Sequence, residues 1–229
     1  TATTEIYTLS LHDALRSALA GGSWVSYAGL MNMVYYDAKT GKIYDMNASF
    51  NTIQNENDPM TIPGGINLDF TQKGKASNGR SVLVHGYMAG VEAAHKRFGN
   101  LTFAEIFEQA ISIAEKGFTW NSGLEYQFNY RKEILSRLPE TKAVFIKNDG
   151  TPYKVGDNFT QPVLAKTLRN IVKYGSQYMY TGEWGEKLVK TVQSEGGKMT
   201  MNDLKDYKVI WSEPLKSNYH GYDMYLHGF

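Results

Sequence analysis

The run MNMVYYDAKTGKIYDMNASF at residues 31–50 commits this chain to a sheet. Two apolar, β-rich runs flank the short turn DAKTGK, whose glycine suits a tight reversal, so the segment predicts an antiparallel hairpin. Asn, Asp, Pro and Gly then cluster at Gln54–Gly65 and predict a loop. Beyond that loop, helix signals dominate. Ser81–Phe98 turns Ala-rich and stops at Gly99, a C-terminal cap. Thr102 and Glu105 form a capping-box pair that opens an amphipathic helix, with Phe103, Ile106, Phe107, Ala110, Ile113 and Ala114 on one face. Ser122–Leu138 reads as a helix closed by Pro139, and Gln161–Tyr174 as another with Pro162 in its first turn. Between them, AVFIKNDGTPYKVGDNF reads as two short strands around Asn148-Asp149-Gly150. Thr181–Gln193 and Thr200–Tyr207 predict two further helices, each led by a threonine, and the C-terminal KVIWSEPLKSNYHGYDMYLHGF is strand-like with a turn at Gly221.

The N-terminal residues 1–22 carry the run TLSLHDAL, which fits a translated sequencing adapter as well as an amphipathic helix with Leu11, Ala14, Leu15 and Ala18 on one face. There is no internal repeat, low-complexity tract or linker, so residues 1–229 are expected to form a single, partial domain of mixed α and β structure.

Composition removes several function classes. Lys plus Arg is 24 against 23 Asp plus Glu, and the net charge of +1 gives no field for phosphate backbones or anionic membranes. No run reaches the ~18 apolar residues of a membrane helix, and no signal-peptide pattern opens the chain. With no cysteine there are no disulfides or thiolate metal sites. His12, His85, His95, His220 and His227 contain no pair one helical turn apart, so they read as solvated or core-edge residues. Neither G-x-S-x-G nor a phosphate-cradling P-loop occurs. Glu105, Glu108 and Glu115 share the polar side of their helix and read as a solvated face. The tyrosines, including Tyr35, Tyr36, Tyr126, Tyr130, Tyr174, Tyr178 and Tyr180, read as packing residues with a wet tip. Three Asn-x-Ser/Thr triplets, at Asn47, Asn100 and Asn158, are short enough to arise by chance.

Four stretches resemble, in order and separation, the large subunit of the gamma-glutamyltranspeptidase family. They are VYYDAKTGKIYDMNAS at Val34–Ser49, GRSVLVHGYMAGVEAAHKRFGNLTFAEIFEQAISIAEKGF at Gly79–Phe118, NDGTPYKVGDNFTQPVLAKTLRNIVKYG at Asn148–Gly175, and YTGEWGEKLVKTVQSEGGKMTMNDLKDYKVIWSEPLKSNYHGYDMY at Tyr180–Tyr225. Gly86 and Gly90, four apart, would let a second backbone approach one helix face, and Thr200 after Gly196-Gly197 is placed to cap a new helix.

The resemblance implies an α+β fold, the large-subunit portion of an N-terminal-nucleophile hydrolase αββα sandwich. It also implies a precursor that cuts itself, exposing an N-terminal threonine that attacks an amide and forms an acyl-enzyme. That threonine is expected beyond Phe229, on a small subunit from the same precursor, so no catalytic residue is expected in this chain; Thr1 is a poor candidate. No metal or organic cofactor is implied, and the setting would be periplasmic or extracellular.

Typical members carry an arginine in a D-G-R-E-like motif on the second hairpin strand, where it grips the substrate α-carboxylate. Here Asn47, Ala48, Ser49 and Phe50 occupy those four places, so a neutral hydroxyl stands where the charge is expected. The family's glycine-rich run ahead of the hairpin becomes the bulkier Ser26-Tyr27-Ala28-Gly29-Leu30-Met31. An acyl group other than γ-glutamyl is therefore expected, with Ser49, Asn47 and Asn51 as substrate contacts because alternate strand residues share a face. The alternatives are a genuine γ-glutamyl hydrolase or transferase of glutathione-type substrates, gripping its substrate through another arginine such as Arg80, and a non-catalytic homologue with a binding or structural role.

Overall fold

The computed structural model describes Leu15 and residues 26–62 and 78–228. In chain order the elements are β1 (Met31–Asp37), β2 (Lys42–Ala48), α1 (Tyr87–Phe98), α2 (Phe103–Lys116), β3 (Phe118–Thr119), α3 (Ser122–Leu135) and α4 (Pro139–Phe145). They continue with β4 (Asn158–Phe159), α5 (Pro162–Tyr174), α6 (Gln177–Tyr180), α7 (Glu183–Ser194), α8 (Met201–Lys205), β5 (Ile210–Ser212), β6 (Leu215–Tyr219) and β7 (Tyr222–Leu226).

The expected hairpin is present. β1 and β2 pair antiparallel from Met31 opposite Ala48 to Asp37 opposite Lys42, and β5 joins the other edge of β2. Asp37 closes the turn by accepting the amides of Thr40 and Gly41, and Gly41 has φ 68°, a conformation glycine adopts without steric cost. Strand alternation sorts the sheet into two faces. Met33, Met46 and Ala48 turn toward the helices, whereas Val34, Tyr36 and Ile210 stay exposed on the other face.

Helix α1 lies against the inner face, and two glycines set its distance. A Cβ on Gly90 would meet the Ala48 Cβ at 2.8 Å and the Met31 Cβ at 3.2 Å; one on Gly86 would fall 2.1 Å from the Ala48 carbonyl oxygen and 2.0 Å from the Tyr207 hydroxyl. The main core of Met46, Val84, Met88, Val91, Phe107, Leu168 and Leu204 grows from this contact. A smaller aromatic core gathers Trp120, Phe128 and Phe159 with the partly buried Phe145 and Tyr153.

Capping matches the sequence at two helices. Thr102 with Glu105 and Thr200 with Asp203 each form a complete capping box, worth about 1 kcal/mol apiece. Four boundaries differ from expectation. The helix expected over Ser81–Phe98 begins at Tyr87, because Val84 is drawn into a two-hydrogen-bond bridge with Asn51 and Gly86 becomes the N-cap. The helix expected over Ser122–Leu138 ends at Leu135, and Pro139 takes the first turn of α4, where its missing amide costs nothing.

As a result Ala143–Phe145, expected in a strand, is helical, and the turn at Asn148-Asp149-Gly150 is flanked only by an isolated bridge of Ile146 with Pro152. Asn158–Phe159 pairs instead with Phe118–Thr119. Finally, Thr181 closes the short α6, and Gly182 rather than the threonine caps α7. At the C-terminal hairpin, His220 (φ 50°) and Gly221 (φ 84°) form a two-residue left-handed turn between paired Tyr219 and Tyr222. Of the N-terminal stretch only Leu15 lies among the described residues; it is helical, fully buried, and its carbonyl accepts the Tyr27 hydroxyl at 2.7 Å.

His85 departs from the solvated or core-edge expectation. It is 1% exposed, stacked on Tyr180 at 4.8 Å and edge-on to Trp184 at 5.2 Å, and among the described residues neither ring nitrogen has a hydrogen-bond partner. Burial pushes its pKa down to about 4. The unfolded chain, with an ordinary histidine near 6.5, binds the proton more readily. Stability from neutral His85 is thus complete above about pH 6.5 and lost as pH falls toward 4, by about 3 kcal/mol in all. Thermal melting of the full-length protein between pH 7 and 4 should show a steep loss that is shallower in His85→Phe. A second substitution tests the helix–sheet contact: Gly86→Ala should destabilise by about 1–3 kcal/mol in urea titration, since backbone must move to admit the methyl group.

Candidate functional site

The open end of the β1–β2 hairpin holds a connected polar set. Asn32 and Asn47 face each other across the strands and therefore share the outer face. Beyond Ala48 the strand stops, and the side chains take over the backbone's hydrogen bonding. Asn47 Oδ1 accepts the Ser49 amide at 2.9 Å, and Asn32 Oδ1 accepts the Ala48 amide at 3.3 Å and the Ser49 hydroxyl at 3.0 Å. The Ser49 carbonyl accepts the Tyr207 hydroxyl at 2.7 Å, and burial raises the Tyr207 pKa to about 12, so that phenol remains a donor.

Behind this loop lies a run of stacked rings. Tyr207 stacks on Tyr180 at 5.5 Å and Tyr180 on His85 at 4.8 Å, while the Tyr180 hydroxyl donates to the His85 carbonyl at 3.0 Å. The first amides of α1 are satisfied by the Gly29 carbonyl, which accepts from Gly86 and Tyr87 at 2.9 Å each. The bulkier Ser26–Met31 run thus acts through its backbone at the head of this helix.

Of the three expected contact residues, the structure ties two together and sets the third apart. Asn47 and Ser49 are linked through Asn32, a residue that no sequence motif singles out. Asn51 is fixed by its backbone to Val84 and lines a shallow hollow of about 370 Å³ with Phe50, Thr52, Gln54, Asp203 and Asp206. Hairpin register is the signal that finds Asn32: once Asp37–Gly41 is placed as the turn, Asn32 falls opposite Asn47.

Two nearby charges are engaged elsewhere. Arg80 donates through Nε and Nη2 to both Glu56 carboxylate oxygens at 3.0 and 2.8 Å, and also reaches Thr61 Oγ1 and the Asp58 carbonyl. Its hydrogen bond draws the Glu56 pKa down to about 2. Asp45, two residues before Asn47 on the same face, has a fully buried side chain and receives His227 Nδ1 at 2.5 Å, the Gly228 amide at 2.9 Å and the Ser212 hydroxyl at 3.1 Å. Burial works to raise the Asp45 pKa, but these donors hold it below the usual carboxylate value.

Chemically, this set offers hydrogen-bonding groups and no activated nucleophile. The Ser49 hydroxyl donates to an amide oxygen, and among the described residues no histidine, lysine or carboxylate is hydrogen-bonded to it as a base would be. Among the described residues no cluster of His, Cys, Asp or Glu is arranged to hold a metal ion.

Comparison with known proteins agrees with this architecture. The family model described as Gamma-glutamyltranspeptidase matches residues 28–228. The glutathione hydrolase proenzyme of Bacillus subtilis (strain 168) is 30% identical over 219 residues, covering 95% of this chain and 35% of that protein. The crystal structure of Helicobacter pylori gamma-glutamyltranspeptidase superposes with a TM-score of 0.85 at 24% identity, covering 97% of this chain and 63% of that one. The gamma-glutamyltranspeptidase of Pseudomonas nitroreducens, complexed with L-DON, gives a TM-score of 0.81 at 25% identity over 97% of this chain and 64% of that chain. This chain spans about a third of the length of the Bacillus protein. With the profile matched over most of its residues and its α+β fold shared with these structures, the chain belongs to the gamma-glutamyltranspeptidase family.

Proposed function

We propose that this chain is large-subunit sequence of a self-processing amidohydrolase or acyltransferase whose acyl substrate is not γ-glutamyl. The nucleophilic threonine lies outside the chain, on a small subunit from the same precursor, and attacks the amide to form an acyl-enzyme, its own α-amine serving as base. The relative in Bacillus subtilis is named a proenzyme, which supports a precursor origin. By itself the chain is inactive; it supplies scaffold and one wall of the acyl pocket, with Ser49, Asn47 and Asn51 as contacts.

One observation carries the altered specificity: Ser49, at the place of the carboxylate-gripping arginine, is hydrogen-bonded to Asn32 and offers no positive charge. Hydrogen bonds to a charged group are worth about 1.5–3 kcal/mol each, so losing a bidentate pair lowers kcat/KM for a γ-glutamyl donor by a hundredfold or more. Arg80 is poorly suited to replace the missing cation, because its guanidinium is already paired with Glu56. Assay of the full-length, processed protein with a γ-glutamyl anilide should show weak turnover that Ser49→Arg increases; robust wild-type turnover would remove the altered-specificity reading.

Exposure on the outer sheet face supports the two-subunit arrangement. Val34, Tyr36 and Ile210 are 40%, 55% and 60% exposed, and in the β6–β7 hairpin Leu215, Tyr219, Tyr222 and Leu226 are exposed too. Apolar sheet surface of this kind normally packs against a second layer. The isolated 229-residue chain should therefore aggregate or melt without a sharp transition, whereas a cooperative melt would argue that it stands alone.

A further inference from the structure

We propose that Asn32 is a specificity-determining residue of this site, and that the site takes a neutral acyl group bearing a hydrogen-bond-accepting oxygen, such as a carboxamide or hydroxyl, where a γ-glutamyl group carries its α-carboxylate. The inference rests on the reading that the Ser49 loop lines the acyl pocket, and it adds both a residue and a ligand class to that reading.

Backbone donors fix the orientation of both amides. A main-chain N–H can only donate, so the Ala48 amide at 3.3 Å makes the inner atom of Asn32 its oxygen, and the Ser49 amide at 2.9 Å does the same for Asn47. The Ser49 hydroxyl, 3.0 Å from Asn32 Oδ1, must therefore spend its proton on that oxygen. This sets what the trio offers a ligand. Among the described residues the side-chain hydrogen bonds of Asn32 and Asn47 run through Oδ1, which leaves each Nδ2 with two N–H donors to offer, and Ser49 Oγ has lone pairs to accept.

Donors without charge favour a neutral oxygen over a carboxylate. An anion loses several kcal/mol of hydration on entering a protein site, which neutral donors do not repay as a guanidinium does. Asp45, two residues from Asn47 on this strand face, is itself engaged by His227, Ser212 and the Gly228 amide and brings the trio no guanidinium-like partner for an anion. A neutral carbonyl or hydroxyl meets no such penalty.

Asn32→Asp is the discriminating variant, because it keeps an oxygen for the Ala48 amide and the Ser49 hydroxyl while replacing the outward N–H donors with a charged acceptor. In the full-length, self-processed protein, two anilide donors are compared: the γ-linked anilide of glutamic acid α-amide, which is neutral at that position, and the γ-glutamyl anilide, which is not. The expected result is a fall of about tenfold or more in kcat/KM for the neutral donor, carried by KM, with an unchanged melting curve, and a wild-type preference for the neutral donor that Ser49→Arg reverses.

If Ser49→Arg shifts the preference between donors but Asn32→Asp leaves the neutral donor untouched, the Asn32 inference fails while the pocket reading stands. Should neither substitution alter kcat/KM for either donor, the pocket reading itself is wrong. A wild-type preference for the charged donor overturns the proposed ligand class.

Discussion

Everything at the candidate site depends on how closely α1 approaches the end of β2. The absence of a side chain at Gly86 lets the Ala48 carbonyl and the Tyr207 hydroxyl come within what would be 2.0–2.1 Å of a Cβ, and Gly90 repeats the approach one turn later. Interiors are packed too densely to absorb an extra methyl group there without backbone movement. Because the contact falls where the strand stops, it also fixes where Ser49 leaves the sheet, and Tyr207 secures that exit by donating to the Ser49 carbonyl. Packing and site geometry are thus one arrangement: the helix that closes the core also holds the loop that carries the polar trio.

Buried aromatics reinforce that arrangement at a cost in polarity. Tyr207, Tyr180 and His85 stack in series behind the loop, and Tyr180 returns a hydrogen bond to the backbone. His85 contributes ring contact but, among the described residues, leaves two nitrogens unpaired, which only the neutral imidazole tolerates. Rigid support of this kind suits a residue whose neighbours must present donors in fixed directions, since each rotamer held in advance is one that binding need not freeze.

How much of this is legible in the sequence varies with the range of the determining interaction. Local signals suffice in places: the DAKTGK turn sets the hairpin, and the Thr102 and Thr200 caps mark true helix starts. Boundaries fail where a partner far along the chain decides them. Val84 resembles a helical residue until Asn51, more than thirty residues earlier, claims its backbone, and Pro139 reads as the end of one helix when it also begins the next. At the site, counting along a strand finds Ser49, but Asn32 emerges only from a cross-strand hydrogen bond. Nothing in sequence spacing signals the unpartnered burial of His85 or the ion pair that engages Arg80.

In the proposed reading a serine stands where the family's arginine would be, and that exchange changes more than one charge. A guanidinium is long and brings its own donors; a serine is short, so its hydroxyl drops back to the strand and is captured by Asn32. The capture consumes the serine's only proton, and the outward donors become those of the two asparagines. On the same face Asp45 is engaged by His227, Ser212 and the Gly228 amide, so the strand offers the trio no guanidinium in the arginine's place. In the proposed reading specificity is a difference of affinities: the neutral donors of this strand suit a neutral oxygen, and without a guanidinium the hydration that an anion gives up is not repaid.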